Sequence, residues 1–155
     1  MPKNKNLGIE LKLTREKTLN KLPRYATEGS SGLDLFNALE KEIYLKPGEC
    51  IIVPSGISIR IYDPNITGII VPRSGLGSQK GIVLGNTVGV IDSDYSGEIM
   101  LPLLNRSKTQ VLIEPLIRVA QIIFFPILKI DFLLVKEFSS SDTKRGENGF
   151  GHSGM

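Results

Sequence analysis

Asp92-Ser93-Asp94-Tyr95-Ser96-Gly97 places two carboxylates and a phenol ring directly after the apolar stretch Val88-Gly89-Val90-Ile91. A carboxylate at the rim of a strand is expected to be partly buried, where it can orient a water and take its proton. Tyr95 offers a flat face on which a sugar ring can pack. The spacing also begins like an EF-hand loop, but Leu103 stands at the twelfth place and no helices flank the segment, so a calcium loop is rejected. A simple hairpin turn is the plain alternative.

Pro72-Arg73-Ser74-Gly75-Leu76-Gly77 gathers a guanidinium, a hydroxyl and glycine amides. It reads either as a glycine turn or as a phosphate cradle, since arginine matches phosphate oxygens bidentately. Asp34, between Leu33 and Leu35, calls for a backbone or arginine partner because buried carboxylates need pairing. Gln121 lies inside the apolar run Val119–Phe125; its amide either bonds to backbone or faces a pocket and donates to a ligand.

The tail Arg145–Met155 carries a cation, the aromatic Phe150 and several glycines. Gly149-Phe150-Gly151-His152-Ser153-Gly154 matches G-x-G-x-x-G, and Gly146–Ser153 falls one residue short of a Walker A loop, with His152 in place of lysine. Both motifs need a helix behind them, and only Met155 follows, so both readings are rejected. The tail is then either a plain polar terminus or a segment that closes over an anion. His152 is the only histidine and has no cysteine cluster beside it, which excludes ordinary zinc sites and argues against Ser-His-Asp or Cys-His catalysis.

The elements that position these groups read as strands. Segments Gly8–Leu13, Glu42–Leu45, Cys50–Val53, Ser58–Tyr62, Gly68–Val71, Val88–Ile91, Glu98–Leu104, Gln110–Ile113, Arg118–Pro126 and Asp131–Val135 alternate or are β-branched, with turn residues between them. Sixteen Gly and nine Pro in 155 residues suit that pattern. Without helices for parallel crossovers, an all-β sandwich, jelly roll or closed barrel is expected. The polar linker at 139–144 divides a body, residues 1–138, from an arm, residues 139–155.

Cys50, the lone cysteine, sits among apolar neighbours and is expected to be a buried thiol. The charged N-terminus lacks a signal-like apolar run; a soluble, intracellular, cytoplasmic protein without membrane contact is expected. A net charge of +3 suits a polyanionic ligand or weak nucleic-acid contact.

Taken together, Gly32–Leu35, Pro72–Leu76, Gly85–Glu98, Arg118–Gln121 and Arg145–Gly154 resemble, in order, the five motifs of the trimeric dUTPase family. The resemblance implies a β jelly roll (β-clip) assembled as a threefold homotrimer with exchange of C-terminal arms. It implies hydrolysis of dUTP to dUMP and pyrophosphate, which lowers dUTP and supplies dUMP for thymidylate synthesis. Asp92 would activate the water and hold the 3′-hydroxyl, and Tyr95 would pack beneath the deoxyribose. Asn86, Gly89 and Val90 would read uracil. Ser74, Gly75 and Gln121 would hold phosphates, with Arg73 and Arg118 in the surrounding network.

From the arm, Arg145 and Ser153 would approach the γ-phosphate and Phe150 would cover the base. Mg2+ would be held mainly by the substrate's phosphates, with Asp34 acting through water or by ordering an arginine. His152-Ser153 replaces the Ser-Thr of many relatives, which bears on the γ-phosphate contacts. One rival is a dCTP deaminase-like enzyme, against which Tyr95 and the complete arm speak. Another is a non-catalytic all-β nucleic-acid-binding module, which would interleave aromatics with Lys and Arg on a strand face. No such alternation exists here, and no stable nucleic-acid partner is expected.

Overall fold

A computed structural model describes residues 8–139. Ten strands run in chain order: β1 (Glu10–Leu13), β2 (Leu33–Phe36), β3 (Ile43–Leu45), β4 (Cys50–Arg60), β5 (Ile66–Pro72), β6 (Ile82–Leu84), β7 (Gly89–Ile91), β8 (Glu98–Asn105), β9 (Val111–Ile113) and β10 (Arg118–Pro126). One antiparallel sheet has the order β1-β4-β8-β6 and a second β2-β10-β5-β7, with β3-β9 as a separate pair. The expected all-β jelly roll is what the chain forms.

Period-two alternation builds the core between the sheets. Along β8, Ile99, Leu101 and Leu103 point inward and are almost fully buried, while Met100 faces out. They join Ile57 and Ile59 of β4 and Leu35, Ile70 and Ile122 of the other sheet in one cluster. Strand β10 has the bounds its sequence indicates, because β-branched and aromatic residues fill Val119–Phe125 and Pro126 closes it.

Four sequence expectations need correction. Ser74–Lys80 forms a short helix, α1, rather than a glycine turn. Its two internal glycines weaken the helical signal, but Leu76 and Gly77 are buried and Gly81, with φ 69°, closes the helix by donating its N–H to the Leu76 carbonyl. The separate strands Cys50–Val53 and Ser58–Tyr62 are one strand, β4, whose register against β8 shifts between Pro54 and Ser58. Cys50 is exposed, not a core thiol: with Val53 turned inward, alternation sends Cys50 and Ile52 to the outer face. Asp131–Val135 is no strand, and its apolar side chains are exposed. Beyond Ile127, whose N–H bonds to the Asn65 carbonyl, no sheet edge faces this segment among the described residues.

The shift in β4 is held by a polar knot. Gly56 has φ 77°, and a Cβ there would strike the buried Thr18 side chain; only glycine fits comfortably. The Gly56 N–H donates to the Glu98 carboxylate at 2.9 Å, and Arg15 Nε donates to the same oxygen at 3.0 Å. Burial pushes the Glu98 carboxyl up, yet hydrogen bonds from Arg15, Thr14 and Gly56 and the Arg15 charge outweigh it and leave it below its usual value.

A carboxyl lowered by folding stabilises the native state above its unfolded value, and that contribution disappears as pH falls through the lower folded value. Unfolding followed below about pH 4.5 should therefore show Glu98→Gln losing less stability with acid than the parent chain. A parallel pH dependence would refute the linkage. In the core, Leu101→Ala should cost about 2–5 kcal/mol, measured as a lower denaturant midpoint with an unchanged slope.

Candidate active site

Strand β10 lies between β2 and β5, so three motif segments meet on adjacent strands, with Gln121 opposite both Asp34 and Val71. Asp34 accepts from Arg73 Nε at 2.7 Å through one oxygen and from Arg118 Nη1 at 3.1 Å through the other. Its side chain is only 18% exposed. The arginine-partnered reading of Asp34 is thus the one observed, and both of its oxygens are engaged. Two guanidiniums against one carboxylate leave this junction positively charged. Gln121 donates to the Pro72 carbonyl at 3.0 Å, while its carbonyl oxygen packs over Gly32, where a Cβ would collide with it. The amide carries two N–H donors, so one remains beyond that bond.

Arg73 is the N-cap of α1, and the first intrahelical bond runs from the Gly77 N–H to the Arg73 carbonyl. The amides of the first turn, including those of Ser74 and Gly75, have no partner within the helix, and both residues are exposed. A cavity of about 490 Å³ beside them is lined by Lys21, Arg73, Gly75, Lys80, Glu114 and Arg118. Lys21 and Lys80 add cations that the motif reading missed. No local pattern marks them, because only the fold brings these distant segments together.

The β6–β7 turn carries the second group. Gly89 lies opposite Ile70 in β5, and a Cβ on Gly89 would sit 3.2 Å from the Ile70 Cβ and 3.7 Å from the Asn86 amide nitrogen. Asn86 therefore rests on Gly89. The Val88 N–H closes onto the Asn86 carbonyl at 2.7 Å, and Thr87 adopts φ 65° to make the turn. Val90 faces outward, 60% exposed.

Ile91 turns into the core, so alternation turns Asp92 outward; it is exposed, not partly buried as its position after an apolar run suggested. Thr67 of β5 donates to the Ile91 carbonyl at 3.1 Å, and a cavity of about 500 Å³ is lined by Thr67, Asp92, Ser93, Asp94 and Lys129, among others. Tyr95 lies flat on Gly97, where a Cβ would come within 2.6 Å of its hydroxyl oxygen, and that hydroxyl donates to the Glu98 carbonyl at 2.8 Å. Tyr95 as a whole is left 41% exposed.

A single chain does not bring Asp92 to the cradle at Arg73, Ser74, Gly75 and Gln121. Asp92 adjoins Thr67 at the start of β5, whereas the cradle follows Pro72 at its end. At about 3.3 Å per residue, roughly 16 Å of strand separates them. Arg145, Phe150, His152 and Ser153 lie outside the described residues. Among the described residues no cluster of three or more His, Cys, Asp or Glu side chains could hold a metal. No described helix is long and apolar enough to cross a membrane.

Residues 19–154 match the family model described as dUTPase. The chain is 53% identical over 150 residues to the deoxyuridine 5'-triphosphate nucleotidohydrolase of Buchnera aphidicola subsp. Acyrthosiphon pisum (strain Tuc7), covering 97% of this chain and 96% of that protein. The protein of the same name from Francisella tularensis subsp. novicida (strain U112) is 48% identical over 149 residues, covering 96% and 100%. Among solved structures, the G164S mutant of the Staphylococcus bacteriophage 80alpha dUTPase with dUpNHpp superposes with a TM-score of 0.83 over 97% of this chain and 100% of that one. At 22% identity that likeness speaks to the fold alone.

Proposed function

The chain belongs to the dUTPase family, and from that premise we propose that it hydrolyses dUTP to dUMP and pyrophosphate by attack of water on the α-phosphorus. The observation that carries the reading is the exposed carboxylate at the end of β7, one turn of chain from a phenol ring laid flat on glycine, with the Tyr95 N–H donating to the Asp92 carbonyl at 3.1 Å. Asp92 takes one proton from the attacking water. The new bond forms at the α-phosphorus, the bond to the bridging oxygen breaks, and pyrophosphate departs with the bond's electrons. Asp92 also holds the 3′-hydroxyl, and the Tyr95 face packs under deoxyribose, where a 2′-hydroxyl would be crowded. Asn86, with the backbone of Gly89 and Val90, reads uracil.

Ser74, Gly75 and the remaining N–H of Gln121 bind the α- and β-phosphates, and Arg73, tied with Arg118 to Asp34, keeps that end of the site positive. Catalysis of this kind rests on positioning and charge neutralisation. A magnesium ion would be held mainly by the substrate's phosphates and would supply neutralisation of their charge. The engagement of both Asp34 oxygens by arginine supports that division of labour. Asp34 then acts by ordering arginines.

Reacting groups must approach to about 3–3.5 Å, far less than the strand length between Asp92 and the cradle. That gap supports a site shared between subunits of a homotrimer, with Asp92 of one chain facing the cradle of another. The exposed side chains of Leu128, Ile130, Phe132, Leu133, Leu134 and Phe138 support the same assembly, since an apolar strap of this size is normally covered. Residues 1–138 form the catalytic body. The arm from residue 139 is assigned to a neighbour's site on the family resemblance alone, with Arg145 and Ser153 for the γ-phosphate and Phe150 for the uracil.

A dCTP deaminase-like activity is not favoured: the relatives at about half identity are nucleotidohydrolases. Asp92→Asn should leave folding and dUTP binding nearly intact while pyrophosphate release falls by roughly three orders of magnitude or more. A coupled pyrophosphate assay measures this, and near-normal turnover in the variant would remove Asp92 from its role.

A further inference from the structure

Tyr95 is held through Glu98 and Ser96 by three residues, Arg15, Gly56 and Ser58, that lie outside the family-like segments. Its hydroxyl donates to the Glu98 carbonyl at 2.8 Å, so the ring's height is set by where Glu98 stands. Glu98 opens β8 opposite Ser58, just past the point where the β4 register shifts. Its carboxylate is only 20% exposed and receives Arg15 Nε at 3.0 Å and the Gly56 N–H at 2.9 Å. The loop has one further tether, the buried Ser58 hydroxyl donating to the Ser96 carbonyl at 2.7 Å. Arg15 comes from the segment after β1, 83 residues before its partner. Its neighbour Thr14 donates its N–H to the Gly56 carbonyl at 2.9 Å, and Thr18 donates a hydroxyl to that carbonyl at 3.1 Å. The N-terminal segment is thus fastened to the bulge that fixes Glu98, and Glu98 fixes the phenol.

We propose that the Arg15–Glu98 pair is a positioning device for sugar selection: it holds the Tyr95 ring at the height that admits deoxyribose and rejects ribose. The inference rests on the reading of Tyr95 as the floor beneath the sugar. Arg15 and the Glu98 side chain act through the Tyr95 ring, which makes them positioning residues. A closely packed floor rejects an added hydroxyl by steric overlap, and such rejection weakens steeply when the floor can sink by a few tenths of an ångström. Loss of the Arg15 contact leaves the Glu98 carboxylate with the Gly56 N–H but without its counter-ion, and the first residue of β8 gains freedom. The ring then yields to a 2′-hydroxyl while the phosphate contacts and Asp92 remain.

The test measures kcat and KM for dUTP and UTP separately with the full chain in its assembled form. Arg15→Met and Glu98→Ala should raise the UTP-to-dUTP ratio of kcat/KM by roughly tenfold, with kcat for dUTP changed much less. Arg15→Lys, which keeps the charge, should restore most of the discrimination. Tyr95→Phe, which removes only the hydroxyl bond to Glu98, should relax selection similarly, and adding Arg15→Met to it should produce little further change, since both act through one contact. Arg15 is half-exposed, so its replacement leaves a folded protein even if Glu98→Ala does not. An unchanged ratio in folded Arg15→Met overturns the proposal, and so do fully additive effects with Tyr95→Phe. Failure of the parent chain to prefer dUTP over UTP would instead overturn the functional reading beneath it.

Discussion

The antiparallel register of β5 with β7 on one side and β10 on the other fixes where Asp92, Gln121 and the arginine junction stand. Gly68 opposite Ile91 carries Asp92 to the start of β5, and Ala120 opposite Pro72 carries Gln121 and the arginine junction to its end. A slip of one residue would exchange the inward and outward faces of β7, sending Asp92 toward the core and Ile91 to water. The burial of Ile91 and Ile70 opposes that slip, so the hydrophobic core and the placement of the carboxylate are one constraint.

The same register keeps the cationic and anionic halves of the site apart within a chain. Asp34 is neutralised by Arg73 and Arg118, which leaves excess positive charge at the cradle, while Asp92 at the far end of β5 forms no ion pair among the described residues. Separation keeps Asp92 from pairing with the arginines that serve the phosphates. In the proposed homotrimer, assembly would join complementary halves, and the exposed apolar strap beyond Pro126 offers surface to drive it.

Much of this was legible in the sequence because the informative signals are local. The run Val119–Phe125 reads as a buried strand because β-branched and aromatic residues fill it, whereas Arg73-Ser74-Gly75 left a glycine turn and a phosphate cradle equally open. What stayed hidden depends on partners distant in the chain. The helix at Ser74–Lys80 carries two glycines and exists because Leu76 and Gly77 are buried. In Glu49-Cys50-Ile51-Ile52-Val53 every residue after Glu49 is apolar, so the outward face of Cys50 was invisible until Val53 was seen inside. Asp131–Val135 has strand composition but no edge to join in its own chain. Arg15 gives no sign in the sequence that it meets Glu98.

In the proposed assembly, Asp92 and the phosphate cradle of one active site belong to different chains. Complementation tests it most directly: Asp92→Asn chains and Arg73→Ala/Gln121→Ala chains, each inactive alone, are refolded together and assayed for pyrophosphate release from dUTP. Mixed assemblies should recover activity well above that of either parent, because some sites then pair an intact carboxylate with an intact cradle. Mixtures that form hetero-assemblies yet stay as inactive as their parents would show that each site is built within one chain, contradicting the account.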